Sequence, residues 1–134
     1  MFPRTNQWYD TFADRVVLGG FSQGACLATE FTARTPRRYG GAFALPGGLI
    51  GESIDVEDYA EGNEGAMEET PVFLGCSDVD PHVPVERVHD TREVFETLGA
   101  EVTERIYEGM GHTVNADELD HVRPMIAGAT GRGE

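Results

Sequence analysis

Three short strings in this 134-residue chain hold the residue types suited to covalent chemistry. The first, Gly20-Phe21-Ser22-Gln23-Gly24, is a GxSxG string. A serine hydroxyl is a poor nucleophile until a base takes its proton, so Ser22 calls for a histidine, and the histidine for a carboxylate that orients it. Both residue types follow in the order Ser, Asp, His: Ser77-Asp78-Val79-Asp80-Pro81, then Gly109-Met110-Gly111-His112. Together they suit attack of Ser22 on a carbonyl carbon, His112 as base, and later release of the acyl group to water. Either Asp78 or Asp80 can fill the acid role.

Taken singly, an Asp in a strand-to-helix turn caps a helix and a His in a glycine loop is simply solvated. The weight lies in their common order and placement. His82, next to Asp80, could line the same site, whereas His89 and His121 fall on helical stretches and read as surface residues. Cys26 and Cys76 stand fifty positions apart, form no CxxC pair, and sit in apolar segments. They read as buried free thiols, and with four scattered histidines no metal site is expected.

Elements able to position these residues are legible in the hydrophobic pattern. A β-branched run ending in glycines predicts a strand over 15–20, and Cys26, Leu27 and Phe31 at helical spacing predict a helix over 23–34, stopped by Pro36. A second strand is expected over 39–45. The stretch 52–69 holds eight acidic residues and no basic one, and reads as a long solvated connection with some helix. Strands over 71–76 and 101–107 flank a helix over 85–98, with Val88, Val94, Phe95 and Leu98 on one face. A last helix starts at Asn115, with Glu118 as its capping-box partner, and runs to about 127. Alternating strands and helices argue for an α/β layer on a parallel sheet, whose strand carboxyl ends lie at one edge. Ser22, Asp80 and His112 all fall in turns at that edge. At the first turn Ser22 would take a strained backbone, flanked by glycines that permit close approach, with the Gln23 amide facing a developing oxyanion.

Composition narrows the function classes. The 24 Asp and Glu outnumber ten basic residues, all arginine, for a net charge of −14. So many carboxylates repel phosphate backbones and anionic lipid, which argues against nucleic-acid partners and membrane-surface binding. No run reaches the roughly 18 to 20 apolar residues of a membrane span, and residues 1–14 are too polar for a signal-peptide core. A cytoplasmic setting is expected. Self-repulsion at −14 is screened at molar salt, where the Debye length is about 3 Å, so the composition suits a salt-filled cytoplasm such as that of a halophilic archaeon.

Leu18-Gly-Gly-Phe-Ser-Gln-Gly-Ala25, Gly75-Cys-Ser-Asp-Val-Asp-Pro-His-Val-Pro84 and Gly109-Met-Gly-His-Thr113 together resemble the phospholipase/carboxylesterase family of α/β-hydrolases, relatives of acyl-protein thioesterases. Matched residue by residue, the resemblance implies Ser22 as nucleophile, Asp80 rather than Asp78 as acid, and His112 as base. It also implies a small-molecule acyl ester or thioester substrate and no metal or organic cofactor. It covers about 14–127 and corresponds to the second half of the family's fold. The expected architecture is therefore a partial α/β-hydrolase fold: one domain over 1–134 with about four parallel strands flanked by helices, and a flexible tail over 128–134. The residues before Asp14, including Trp8, Tyr9 and Phe12, suit one short amphipathic helix and not the upstream strands and HG-type loop of the family. Two consequences are expected. The first strand would carry an exposed edge, open to a homodimer. The oxyanion hole would keep only the Gln23 amide, and loss of one donor typically costs about 10² to 10³ in rate. A competing expectation is an inactive remnant that pairs through that edge with another chain.

Overall fold

Val16, Val17 and Leu18 favour extended backbone, and they open a parallel sheet in which each strand pairs with the next in sequence. The computed structural model describes residues 13–130. Within them run β1 (Val17–Gly20), α1 (Gln23–Arg34), β2 (Gly41–Ala44), α2 (Glu57–Ala60), β3 (Pro71–Ser77), α3 (Val85–Thr97), β4 (Glu101–Tyr107) and α4 (Ala116–Thr130). The sheet order is β1-β2-β3-β4, with all pairs parallel and registers such as Leu18↔Ala42, Phe43↔Phe73 and Ser77↔Tyr107. The expected four-stranded parallel sheet is present. Because every strand runs the same way, the turns after β1, β3 and β4 open at one edge of the sheet.

Side-chain alternation divides the sheet into two faces. Ala42, Ala44, Val72, Leu74 and Cys76 enter the main core with Ala25 and Ala33 of α1 and Val88, Val94 and Phe95 of α3. Phe43, Leu45 and Phe73 point the other way, into a smaller cluster with Val122 and Met125 of α4. Fully burying Phe95 or Leu98 contributes about 1.5 to 3 kcal/mol each. Buried polar groups tie the loop after β2 to α3. The Leu49 amide donates to Thr91 Oγ1 at 3.0 Å, and Arg87 Nη1 donates to the Leu49 carbonyl at 2.8 Å.

Several boundaries differ from the sequence reading. Strand β1 starts at Val17 and not at 15, because Ala13–Arg15 forms a 3-10 turn closed by Val16 N to Ala13 O at 2.9 Å. The acidic stretch 52–69 is less solvated than its charge suggested. All eight of its carboxylate residues are exposed, yet Tyr59, Ala60 and Met67 are buried in the main core. Helix α4 continues to Thr130, through the first residues of the expected tail. The remainder of that tail, and the N-terminal helix expected around Trp8, Tyr9 and Phe12, lie outside the described residues.

The capping box at the start of α4 is formed. Asn115 N donates to Glu118 Oε1 at 3.0 Å, and Glu118 N donates to Asn115 Oδ1 at 2.8 Å. Glu118 is itself fully buried, and burial pushes its carboxyl above the ordinary range, against the lowering effect of the Asn115 amide.

The turn between β1 and α1 is tight for a specific reason. A Cβ on Gly20 would lie 2.5 Å from the carbonyl carbon and 2.6 Å from the oxygen of Gly24. Backbone cannot yield as a flexible side chain can. A Cβ on Gly24, in contrast, meets nothing within 4 Å among the described residues. Only the first of the two flanking glycines is sterically required, which corrects the expectation that both are. Gly20→Ala should therefore lower the melting temperature sharply and abolish soluble expression or activity. Gly24→Ala should keep both, with stability unchanged or raised by up to about 1 kcal/mol. Thermal unfolding of the two variants side by side checks this.

Candidate active site

Ser22 stands at the N-cap of α1 with φ 58° and ψ −118°, in the left-handed region that side chains other than glycine rarely adopt. Such a conformation costs about 1 to 3 kcal/mol and persists only where its surroundings hold it. Here Ser22 N donates to the Pro46 carbonyl at 3.0 Å, and the Ser22 carbonyl accepts from Cys26 N at 3.0 Å. An N-cap serine ordinarily turns its oxygen toward the helix amides. Ser22 makes no such bond, and its Oγ lies 2.9 Å from His112 Nε2.

On its other side the His112 ring places Nδ1 2.8 Å from Asp80 Oδ2. The Asp80 side chain is wholly shielded from solvent, and its Oδ1 accepts from His82 N at 2.7 Å and Val83 N at 2.9 Å. Burial pushes the Asp80 carboxyl up, but the hydrogen bonds from His112 and from the His82 and Val83 amides outweigh it, and the group is held below the usual carboxylate range. An ionised carboxylate can only accept, so Nδ1 carries the proton. In the neutral ring Nε2 is then left as an acceptor facing the Ser22 hydroxyl. Phe21 leans on the His112 ring with centroids 5.2 Å apart, and His82 meets it edge-on at 4.7 Å.

An open cavity of about 540 Å³ lies over these groups, lined by Phe21, Ser22, Gln23, Cys26, His82, Val83 and His112. Beside it an apolar depression of about 290 Å³ is lined by Gln23, Cys26, Leu27 and Ile50. Gln23 is the first residue of α1, where backbone amides lack intrahelical acceptors. A carbonyl bound next to Ser22 would therefore meet an N–H donor and the positive end of a helix.

The structure thus brings Ser22, Gln23, Asp80 and His112 together and leaves Asp78 apart. Asp78 Oδ1 accepts from Gly109 N at 2.8 Å, whereas the imidazole Nδ1 is bonded to Asp80. His89 is exposed and pairs with Glu104 at 2.6 Å, in keeping with its surface reading. His121 departs from that reading: its ring stacks on Phe73 with centroids 4.5 Å apart, half-buried. Both cysteines are free thiols, but only Cys76 is buried, and burial pushes its thiol up to about 11. Cys26 is half-buried and faces the cavity, because it follows Ser22 by four residues and so shares its helix face. Phe21 and Val83 were not singled out from sequence, although each adjoins a residue that was. Among the described residues no group of three or more His, Cys, Asp or Glu could hold a metal ion.

Comparison with known proteins identifies the family. A profile described as phospholipase/carboxylesterase matches residues 4–129. The chain is 32% identical over 118 residues to acyl-protein thioesterase 1 of Kluyveromyces lactis, covering 87% of this chain and 50% of that protein. It is 34% identical over 113 residues to acyl-protein thioesterase 1 of Gibberella zeae, covering 84% and 47%. The crystal structure of a phospholipase/carboxylesterase from Dyadobacter fermentans superposes with a TM-score of 0.77 at 41% identity, covering 86% of this chain and 53% of that one. A Bacillus cereus carboxylesterase shares the fold, with a TM-score of 0.67 at 18% identity over 96% of this chain and 56% of its own. The chain spans about half the length of these relatives. With a family profile matched along nearly its whole length, the chain belongs to the phospholipase/carboxylesterase family, and its fold is that of the α/β-hydrolases.

Proposed function

We propose that this chain is a serine hydrolase of carboxylic ester or thioester bonds, with Ser22, His112 and Asp80 as its catalytic triad. The observation that carries the reading is the unbroken relay from Ser22 Oγ to His112 Nε2 at 2.9 Å and from His112 Nδ1 to Asp80 Oδ2 at 2.8 Å. Ser22 Oγ attacks the substrate carbonyl carbon while His112 Nε2 takes its proton. The carbonyl π electrons move to oxygen, which the Gln23 amide stabilises. Collapse of the tetrahedral intermediate breaks the bond to the alcohol or thiol, which leaves with the proton from His112. Water then repeats the sequence on the acyl-serine, frees the acid and restores Ser22. Asp80 keeps its negative charge throughout and stabilises the imidazolium.

The relatives named acyl-protein thioesterase 1 and phospholipase/carboxylesterase support the ester and thioester class. The open cavity beside an apolar depression suits a small acyl group. We read residues 13–130, built on one sheet, as one domain. The −14 charge supports a salt-filled cytoplasm as its setting. No helix among the described residues is long and apolar enough to cross a membrane. A second reading, a silent domain that docks through a strand edge, draws on β1 having a strand neighbour on one side only among the described residues.

Hydrolysis of a short-chain nitrophenyl ester tests the triad. Ser22→Ala and His112→Ala should each lower kcat by about 10⁴-fold or more, with the melting temperature retained. The silent-domain reading instead expects the unaltered chain to lack activity from the outset. Between pH 8 and 5 the Asp80 carboxylate should add no break of its own to the kcat/KM profile, because it stays ionised throughout. The lowered Asp80 carboxyl contributes stability that is present above the unfolded-state value and is lost as pH falls through the folded one. The stability advantage over Asp80→Asn should therefore be full at pH 6 and shrink below pH 4, as read by denaturant unfolding at each pH.

Salt supplies a separate check. Raising KCl from 0.1 to 2 M should raise the melting temperature, since screening removes self-repulsion among the surface carboxylates. A melting temperature that falls or stays level would contradict the salt-adapted setting.

A further inference from the structure

The imidazole and its carboxylate sit on separate segments, the loop after β4 and the turn after β3, and a contact of 2.8 Å between them requires that the two keep a fixed spacing. Two side chains not used in the proposed chemistry join these segments directly. Ser77 is fully buried, and its Oγ accepts from Gly111 N at 2.9 Å, while also accepting from Val79 N at 3.2 Å within its own turn. Asp78, the next residue, accepts from Gly109 N at 2.8 Å through Oδ1 and donates its own N–H to the Tyr107 carbonyl at 2.9 Å. The sheet pairing thus continues past Ser77↔Tyr107 as a run of side-chain bonds between the two segments.

We propose that Ser77 and Asp78 are positioning residues that clamp the His112 loop to the Asp80 turn, and that Asp78 serves the relay in this way and not as its acid. Gly109 and Gly111 have φ of 66° and 80°, so the loop ahead of His112 is built from the least restrained residue type in a conformation with wide freedom. Gly111 directly precedes His112, and Ser77 stands three residues before Asp80. Each clamp bond therefore acts within a few bonds of a relay residue. A misplacement of about 1 Å in a catalytic group can cost about 10²-fold in rate, so the effect falls on kcat and leaves substrate binding largely alone.

The inference rests on the triad reading, and the test separates the two. Asp78→Ala and Ser77→Ala should each lower kcat by about 10- to 100-fold with KM within about twofold. Asp78→Asn, which keeps an acceptor oxygen in place, should recover most of the loss. In proton NMR the downfield resonance of the His112 Nδ1 proton should be sharp in the unaltered chain, broadened in Asp78→Ala and restored in Asp78→Asn. A sharp Nδ1 signal and unchanged kcat in both alanine variants would overturn the clamp, as would an Asp78→Asn variant no better than Asp78→Ala. Should the alanine variants fail to fold, hydrogen exchange in the unaltered chain decides the matter. Protected Gly109 and Gly111 amides support the clamp, and exchange at loop rates refutes it. Ser22→Ala measured alongside reports on the triad alone. If that variant hydrolyses the ester at the full rate, the triad reading fails, while the Nδ1 signal and the amide exchange still judge the clamp.

Discussion

A carboxylate taken out of water must be surrounded by donors, and the Asp80 side chain, wholly shielded, is the place where this requirement governs the molecule. Three donors reach it: the His82 and Val83 amides at Oδ1 and the His112 ring at Oδ2. The two amides fold the turn after β3 around the carboxylate, and the ring is the one donor drawn from another strand's loop. Because the carboxylate stays charged, it fixes which ring nitrogen holds the proton and so which one faces Ser22. Loss of that charge would free the imidazole to adopt the other tautomer, with its acceptor turned away from the hydroxyl.

The sheet makes this bond possible at all. Parallel pairing of neighbours in sequence brings the ends of β1, β3 and β4 to one edge, so turns ninety residues apart along the chain can meet. At the β1 end the close approach of Gly20 to Gly24 sets a sharp turn, and Ser22 holds a left-handed backbone within it. That conformation keeps the hydroxyl away from the helix amides it would otherwise cap. Local strain at Ser22 and buried charge at Asp80 are both unfavourable alone; Ser22 is held by its bond to the Pro46 carbonyl in the loop after β2, and Asp80 by amides of its own turn and the His112 ring.

Much of this is legible in the sequence, and what is not has physical reasons. Short β-branched runs that end in glycine or a polar turn mark the strands, and both ends of β4 are legible because Gly99-Ala100 precedes it and Glu108-Gly109 follows. The order of Ser22, Asp80 and His112 is visible because each follows a strand. Choosing between Asp78 and Asp80 is not possible from spacing, since both lie in one turn. The outcome depends on which carboxylate the His82 and Val83 amides close around. The family resemblance implies Asp80, and in the structure Asp80 is the carboxylate within 2.8 Å of the His112 ring. Tyr59 and Met67 were hidden by eight surrounding carboxylates, whose charge masks apolar anchors too sparse to make a period. The stacking of His121 on Phe73 depends on how α4 lies across the sheet, which no local pattern encodes.

A serine hydroxyl and a cysteine thiol, Ser22 and Cys26, both line the cavity, so the identity of the acylated residue is the most direct measurement of the central claim. The chain is mixed with a short-chain acyl thioester, quenched in acid during the first turnover, digested and mapped by mass spectrometry. An acyl group on the peptide at Ser22, absent in Ser22→Ala and retained in Cys26→Ala, is the result predicted. Acylation at Cys26, or no covalent adduct in a folded chain that still turns over the substrate, would contradict it.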